Sequence, residues 1–540
     1  MISTSNLSMS FSGGKKLFND VNVKFTPGNC YGLIGANGAG KSTFVKILSG
    51  DLSPSEGEVI LDKKKTLAIL NQDHFAHEEQ VVMDVVMSGH EELYAVMKEQ
   101  ERIYADPEAT DDDYMKAGEL GDRIEQLDGW SAETNAEKML TGLGINSDLH
   151  RKYMKELTEP EKVKVLLCQA IFGQPDVLLL DEPTNGLDIK AIRWLENFLM
   201  NIEDTTVIVI SHDRHFLNKV CTHIADIDYG EVKMYVGNYD FWYESNQLMI
   251  TLINNKNKKL EQKREELKSF ISRFSANASK SKQATGRKKQ LESLQLEDMK
   301  VSNRKYPFVE FKSERQAGNN LLKVENLCKT IEGVKILDNV TFTINTGDKV
   351  VFLAKNDIVK TTLIAILAGT MEADSGEITW GVTTSQAYMP KNNSEYFESA
   401  AGNLIDWLRP YSPDQHDSFV RGFLGRMLFS GEDADKSPKV LSGGEKVRCM
   451  LSKMMLGGAN VLLFDNPTDH LDLESITSLN KALIKFDGTI LFGAHDHEFI
   501  QTVATRIIEI TPKGTVDKLT EYDAYLDDEA TQEKLIEMYS

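Results

Sequence analysis

At 540 residues the chain exceeds what one hydrophobic core supports, so two or three domains are expected. Its 41% hydrophobic and 26% charged residues are ordinary for a globular protein. The longest apolar runs, such as Val177-Leu178-Leu179-Leu180 and Val207-Ile208-Val209-Ile210, fall far short of the ~20 residues of a membrane helix. A net charge of −21, from 61 basic and 82 acidic residues, argues against nucleic-acid binding by the chain as a whole. Met1-Ile2-Ser3-Thr4-Ser5 has no basic region leading into an apolar stretch, so no secretory signal is expected. The five cysteines (Cys30, Cys168, Cys221, Cys328, Cys449) form no metal-like pairs and fit the reduced thiols of a cytoplasmic protein.

In chain order, Phe11 comes first, a candidate either for stacking on a purine or for the core. The apolar strand Cys30-Tyr31-Gly32-Leu33-Ile34 then leads into Gly35-Ala36-Asn37-Gly38-Ala39-Gly40-Lys41-Ser42-Thr43, which opens a helix. Glycines let backbone N–H groups curl around phosphate oxygens, and the helix amino terminus adds positive potential. Lys41 is expected to reach the β- and γ-phosphates of a nucleotide and the Ser42 hydroxyl to ligate Mg²⁺. Gln72 ends another strand and is placed to reach the metal or a water. A helical insertion follows over about 85–130, broken by Asp111-Asp112-Asp113, and reads either as a plain surface hairpin or as a docking arm.

The strand ending in Asp181 presents a carboxylate to Mg²⁺ and its waters. Glu182 beside it is positioned to orient or deprotonate an attacking water, a role worth roughly 10²–10⁴ in rate. His212, after the next strand, is expected to contact the γ-phosphate. A lone histidine is usually structural, but its order after the Asp–Glu pair favours a functional role.

From about Ile253 the pattern is helical, with Leu260, Leu267, Phe270, Ile271 and Phe274 on one stripe. Between Ile253 and Lys305 fifteen Lys/Arg face six Asp/Glu, a net of +9, so the remaining chain carries −21 − 9 = −30. Two antiparallel helices with a basic tip are expected, through Arg273, Lys280, Lys282, Arg287, Lys288 and Lys289. The plain alternative is a solvated spacer, but a spacer need not reverse the sign of the chain. Such residues neutralise phosphates with little sequence preference, and RNA fits better than duplex DNA because no groove-reading element is apparent.

The second half repeats the first. Leu17-Phe18-Asn19-Asp20-Val21 recurs as Ile336-Leu337-Asp338-Asn339-Val340. Leu178 to Thr184 recurs as Leu462 to Thr468, and Ser211-His212-Asp213 as Ala494-His495-Asp496. Motifs repeated in one order mean two copies of one domain. Continuous apolar strands alternating with helices predict a parallel sheet covered on both faces, an α/β fold. The copies differ in one insertion: Gln72 to Leu157 spans 85 positions, Lys391 to Leu441 only 50.

Leu441-Ser442-Gly443-Gly444-Glu445-Lys446 resembles the signature motif of ATP-binding cassettes, P-loop NTPase domains. That resemblance covers both copies: a first cassette over 1–246, a linker over 247–320 and a second, degenerate cassette over 321–540. In such proteins two cassettes face head to tail, and each ATP lies between one phosphate loop and the other cassette's signature. The implied first site joins Lys41, Asp181, Glu182 and His212 with Ser442, Gly443, Gly444 and Glu445. The second is damaged on both sides. Its loop reads Ala354-Lys355-Asn356-Asp357-Ile358-Val359-Lys360-Thr361-Thr362, with three glycines replaced. A side chain forced into left-handed geometry there is expected to cost roughly 1–2 kcal/mol, and Asp357 to repel phosphate by about 4 kcal/mol at 4 Å. The facing signature, Leu157-Thr158-Glu159-Pro160-Glu161, adds a charge and loses a donor at the proline. Asn466 stands for the catalytic glutamate, Ile331 near the aromatic position and Lys391 near that of the glutamine. Lys360, Thr361, Asp465 and His495 remain.

Phe270-Ile271-Ser272-Arg273-Phe274, the Lys/Ser stretch after it and Arg287-Lys288-Lys289 resemble the interdomain linker of the ABC-F family of ribosome-associated ATPases. This implies a cytoplasmic factor, monomeric with its cassettes paired, using ATP and Mg²⁺. It implies a linker reaching towards P-site tRNA and an arm touching rRNA at the ribosomal E site, with no membrane partner. Ribosome protection against antibiotics uses the same machinery and would favour a longer linker tip than the modest one at about Ser275 to Arg287. A transporter's ATPase subunit leaves the basic segment unexplained. An inactive scaffold requires that damage to the second site disable both.

Overall fold

The computed structural model describes all residues except 11–15, 37, 63–64, 71–76, 186, 275–285, 292–303, 401 and 540. Phe11, Asn37, Gln72, Lys280 and Lys282 therefore lie outside the described residues, as do the side chains of Phe270, Arg273 and Phe274. The chain divides into two compact units. The first comprises Met1–Asn185, Arg193–Ser211 and Phe216–Asn303, the second Gly186–Ile192, His212–His215 and Arg304–Ser540.

In the first unit a six-stranded sheet runs in the order Glu231–Val236, His223–Asp228, Cys30–Gly35, Thr206–Ile210, Val177–Asp181, Leu67–Ile69. All neighbours are parallel except the outermost pair, Glu231–Val236 against His223–Asp228. Strands Cys30–Gly35 and Thr206–Ile210 are buried along their whole length. Parallel strands covered on both faces have no solvent side to alternate towards, which is why they read as unbroken Val, Ile and Leu. A second, antiparallel sheet is centred on Ile2–Ser10. Phe18, Phe25 and Phe44 knit it to the parallel sheet in one core.

The second unit repeats this plan strand for strand. Its sheet runs Gly514–Lys518, Arg506–Thr511, Lys349–Leu353, Thr489–Gly493, Val461–Asp465, Gln386–Met389. An antiparallel sheet formed by Asn320–Ile331, Val334–Asn345 and Ser375–Trp380 accompanies it. The duplicated order is the expected one for two α/β domains of one kind.

The insertion over about 85–130 is helical, with main helices Glu91–Ala105 and Asp111–Gln126. The acidic triplet is no break: Asp111, Asp112 and Asp113 form the first turn of the second helix, where the macrodipole favours negative charge. Thr110 and Asp113 close a capping box there. Lys116 meets Glu99 at 2.7 Å, Arg123 pairs with Glu92, and Gln100 donates to the Ala117 carbonyl at 3.0 Å, fastening the two helices together.

The linker region begins in the helix Tyr239–Phe274, 36 residues long, so helix starts fourteen residues before the basic pattern does. Trp242 anchors its first turns in the core of the unit. Of the expected stripe, Leu267 is buried and Leu260 and Ile271 are half-buried. Residues 286–291 form a second helical stretch in which Arg287, Lys288 and Lys289 are exposed. No helix among the described residues is long and apolar enough to cross a membrane.

Candidate functional site

Each sheet delivers its chemistry at the carboxyl ends of its central parallel strands, where ligands bind open α/β sheets. In the first unit the loop after Cys30–Gly35 turns through Gly38 at φ 78° and Gly40 at φ 99°, and the helix starts only at Lys41. These backbone conformations are where a side chain would cost about 1–2 kcal/mol. A Cβ on Gly40 would also come within 3.2 Å of the Phe18 ring. Gly35 is required for a different reason: a Cβ there would stand 2.8 Å from the Ile227 carbonyl oxygen. Left-handed glycines in a turn are the backbone conformation from which an anion nest is built.

Lys41 lies over this turn, its Nζ donating to the Gly35 carbonyl at 2.8 Å. Asp181 ends the adjoining strand but one, and burial raises its carboxyl above the ordinary value. The Ser42 hydroxyl, hydrogen-bonded to it, and the nearby Lys41 ammonium oppose that rise. Ser42 and Asp181 thus form a compact oxygen donor set of the type a hard cation prefers. Glu182 follows at φ 52°, its N–H donating to the Ile210 carbonyl at 2.9 Å, which turns its side chain out of the strand direction. Thr43 continues the helix, and Ala39 donates its N–H to the Ala36 carbonyl at 3.0 Å. His212 falls in the other unit, so its place beside this loop stays an expectation of the sequence.

The corresponding loop of the second unit is a different object. Its helix starts at Asp357, three residues earlier than the register of Lys41 and Lys360 requires, and is capped by Asn356, whose side chain accepts from the Ile358 N–H at 3.0 Å. The left-handed strain expected of Asp357 and Val359 is not incurred, because neither adopts positive φ. With no glycine to allow the turn, the chain takes the right-handed alternative. The amides that would line a cradle are drawn into helical bonding, as Val359 N–H to Asn356 carbonyl at 3.1 Å. Lys360, nearly fully buried, approaches Asp357 at 2.8 Å and His495 at 3.2 Å. Thr362 is buried in the same helix. Asp465 ends its strand as Asp181 does, and burial raises its carboxyl against the Thr361 hydroxyl and the Lys391 and Lys360 ammoniums. Asn466 repeats the backbone of Glu182, at φ 49° with its N–H on the Gly493 carbonyl at 2.8 Å.

The signature segment is a helix amino terminus. Ser442 caps Gly443–Leu456, accepting from the Glu445 N–H at 3.3 Å while its own N–H donates to the Glu445 carboxylate at 2.8 Å. Its glycines answer to His470: a Cβ on Gly444 would lie 2.6 Å from the His470 carbonyl oxygen, and one on Gly443 3.0 Å from its ring. In the first unit Thr158 stands at the start of Glu159–Phe172, its N–H and hydroxyl both donating to the Glu161 carboxylate at 2.8 Å, with Pro160 in the first turn.

Sequence reasoning passed over Tyr539. Its hydroxyl accepts from the Lys355 N–H at 3.1 Å and donates to Glu509 at 2.8 Å. A repeat in the sequence points to its neighbour on Glu509, Tyr525, and not to Tyr539 itself: Tyr239-Asp240-Phe241-Trp242 recurs as Tyr522-Asp523-Ala524-Tyr525. Trp242 donates to Asp226 at 3.2 Å, and Tyr525 to Glu509 at 2.7 Å on the matching strand.

The ABC transporter family model matches residues 18–185 and 337–469, and a second ABC transporter model, for an extension, matches residues 225–311. The chain is 60% identical to the uncharacterized ABC transporter ATP-binding protein YkpA of Bacillus subtilis over 541 residues, all of both chains. It is 31% identical to the energy-dependent translational throttle protein EttA of Escherichia coli, over 95% of this chain and 93% of that one. To the ABC transporter F family member 2 of Arabidopsis thaliana it is 30% identical, over 97% and 78% of the two chains. Among solved structures, an archaeal ribosome recycling factor in complex with a ribosomal stalk protein shares the fold, with a TM-score of 0.58 at 18% identity over 93% of this chain and 87% of that one. The matched segments are ATP-binding-cassette ATPase domains. With two such cassettes in tandem and full-length relatives at and above 30% identity, the chain belongs to the ABC-F family.

Proposed function

We propose that the chain is an ATP-dependent, ribosome-binding translation factor of the cytoplasm, acting near the E site and the P-site tRNA. It would hydrolyse ATP at one composite site and carry one degenerate site. The observation that carries this reading is a glycine-turned phosphate loop on a chain whose one basic segment shows, among its described residues, helix with exposed lysines. The charge pattern supports an RNA partner, since a helix bearing exposed Lys256, Lys258, Lys259, Lys263 and Lys268 neutralises phosphates without reading bases. Exposed Tyr104, Tyr114, Met115 and Trp130 on the insertion support its use as a docking arm. The name of the throttle protein supports translation as the process.

Mg²⁺-ATP fits the first unit's loop: left-handed glycines open the cradle, and the Ser42–Asp181 pair offers oxygen ligands. Bound there, it supplies the phosphoanhydride bond whose hydrolysis releases the factor. Lys41 holds phosphate oxygens, Ser42 and Asp181 hold the cation, and the Glu182 carboxylate orients and deprotonates the attacking water. By the head-to-tail pairing that the cassette resemblance implies, Ser442 and the Gly443 and Gly444 amides would complete the site, and ATP would stabilise a monomer closed on itself. The test is sedimentation of Glu182→Gln protein with ribosomes, with and without ATP. Beside it runs a variant with Lys280, Lys282, Arg287, Lys288 and Lys289 changed to Glu. ATP-dependent co-sedimentation that charge reversal abolishes is expected; none in either nucleotide state removes the ribosome from the reading.

A further inference from the structure

We propose that the phosphate position of the second cassette is filled by the protein itself, with the Asp357 carboxylate as a resident surrogate for the nucleotide's phosphate. This rests on the reading of that cassette as degenerate and says what took the nucleotide's place.

Three groups define a phosphate position in a cassette by their order in the chain: the loop lysine, the residue after the outer strand and the histidine after the strand beyond the carboxylate. In the second unit these are Lys360, Lys391 and His495. All three converge on one carboxylate. Asp357 Oδ1 lies 2.8 Å from Lys360 Nζ and 2.7 Å from His495 Nε2, and its Oδ2 lies 2.9 Å from Lys391 Nζ. The three partners come from three separate elements: the helix Asp357–Leu367, the segment after Gln386–Met389 and the segment after Thr489–Gly493. Burial alone would push the Asp357 carboxyl up, but His495 and Lys360 outweigh it and hold it well below the usual carboxylate range. Lys391 is likewise held charged by Asp357 against its own burial.

The backbone side of the position is closed as well. Where a phosphate loop offers free amides, the Ile358 N–H is taken by the Asn356 side chain and the Lys355 N–H by the Tyr539 hydroxyl. Tyr539 ends the helix Glu529–Tyr539, and Glu509 holds it by a 2.8 Å hydrogen bond. The carboxylate, the two lysines and the Lys355, Ile358 and Val359 amides are therefore matched within the chain. Loss of the glycines by drift would leave the cations facing solvent; here a carboxylate stands at the register of Gly38 and meets each of them.

The experiment uses the full chain with Lys41→Ala, to weaken the first loop, and inorganic pyrophosphate as probe, by calorimetry at constant ionic strength. Adding Asp357→Ala is expected to raise pyrophosphate affinity at least tenfold, and adding Lys360→Ala to that to abolish the gain. Asp357→Asn, which keeps the shape and removes the charge, is expected to act in the same direction. In the wild-type chain, acylation of Lys360 followed by mass spectrometry is expected to be unchanged by pyrophosphate. Folded Asp357 variants that gain no affinity overturn the surrogate and leave the degenerate-site reading standing. Pyrophosphate protection of Lys360 in the wild-type chain overturns the surrogate even if those variants do not fold. Mg²⁺-ATP binding in the Lys41→Ala chain that Lys360→Ala removes overturns both.

Discussion

The loops Gly35–Ser42 and Ala354–Thr361 leave equivalent strands of equivalent sheets and end in equivalent lysines, yet one turns through left-handed backbone and the other is helical from its fourth residue. Two other features are shared by the sites: a carboxylate at the strand end (Asp181, Asp465) and left-handed backbone at the residue after it (Glu182, Asn466). The scaffold thus fixes where side chains emerge, while the presence or absence of Cβ at two loop positions decides whether the amides between them face a ligand or each other. A cassette can lose its phosphate cradle without disturbing its core, because Val350, Val351 and Phe352 stay fully buried beneath the altered loop.

The largest effect that tests this contrast is at the residue after the strand. Glu182→Gln is expected to lower steady-state ATP turnover by roughly 10²–10⁴, the usual range for loss of a general base. The reciprocal Asn466→Glu is expected to add no turnover, because a restored base has no phosphate cradle to work beside. A measurable gain from Asn466→Glu in a Glu182→Gln background would break the comparison.

A smaller effect tests the loop conformation. Gly40→Val copies Val359 into the first unit, where φ is 99° and Phe18 and Leu17 stand 3.2 and 3.3 Å from the new Cβ. Left-handed strain of about 1–2 kcal/mol, added to that crowding, is expected to cost ~10² in ATP turnover. Turnover within threefold of wild type would mean that the loop tolerates a side chain, and that the second loop's helix has another cause.

Much of this was legible in the sequence, for stated reasons. Unbroken runs such as Val177–Leu180 announced buried parallel strands, and motifs recurring in order announced the duplication. The first loop was readable because glycine has few other reasons to recur at 35, 38 and 40. The second was misread in its conformation: the strain argument supposed that Asp357 and Val359 keep the backbone of the glycines they replace, whereas the chain changes backbone to avoid it. Tyr539 was not legible because it lies 184 residues from Lys355 in sequence, and a tyrosine near a chain end carries no local signal. The acidic triplet 111–113 suggests a break when Asp is weighed as a helix breaker, but behind a Thr110 cap Asp belongs in a helix's first turn.

The smallest effect sharpens the same comparison at the cap. Asn356 holds the second loop helical by accepting from the Ile358 N–H, with its own backbone extended at φ −121° and ψ 131°. If capping is its role, Asn356→Ala should cost about 1 kcal/mol of stability and Asn356→Gly only a few tenths, since glycine lets water reach the exposed amides. In a domain of this size the alanine variant should melt about 2–4 °C below wild type in calorimetry, with glycine much closer to it. Equal losses from the two substitutions would mean that Asn356 acts through some contact other than the cap, and that the missing glycines alone make the loop helical.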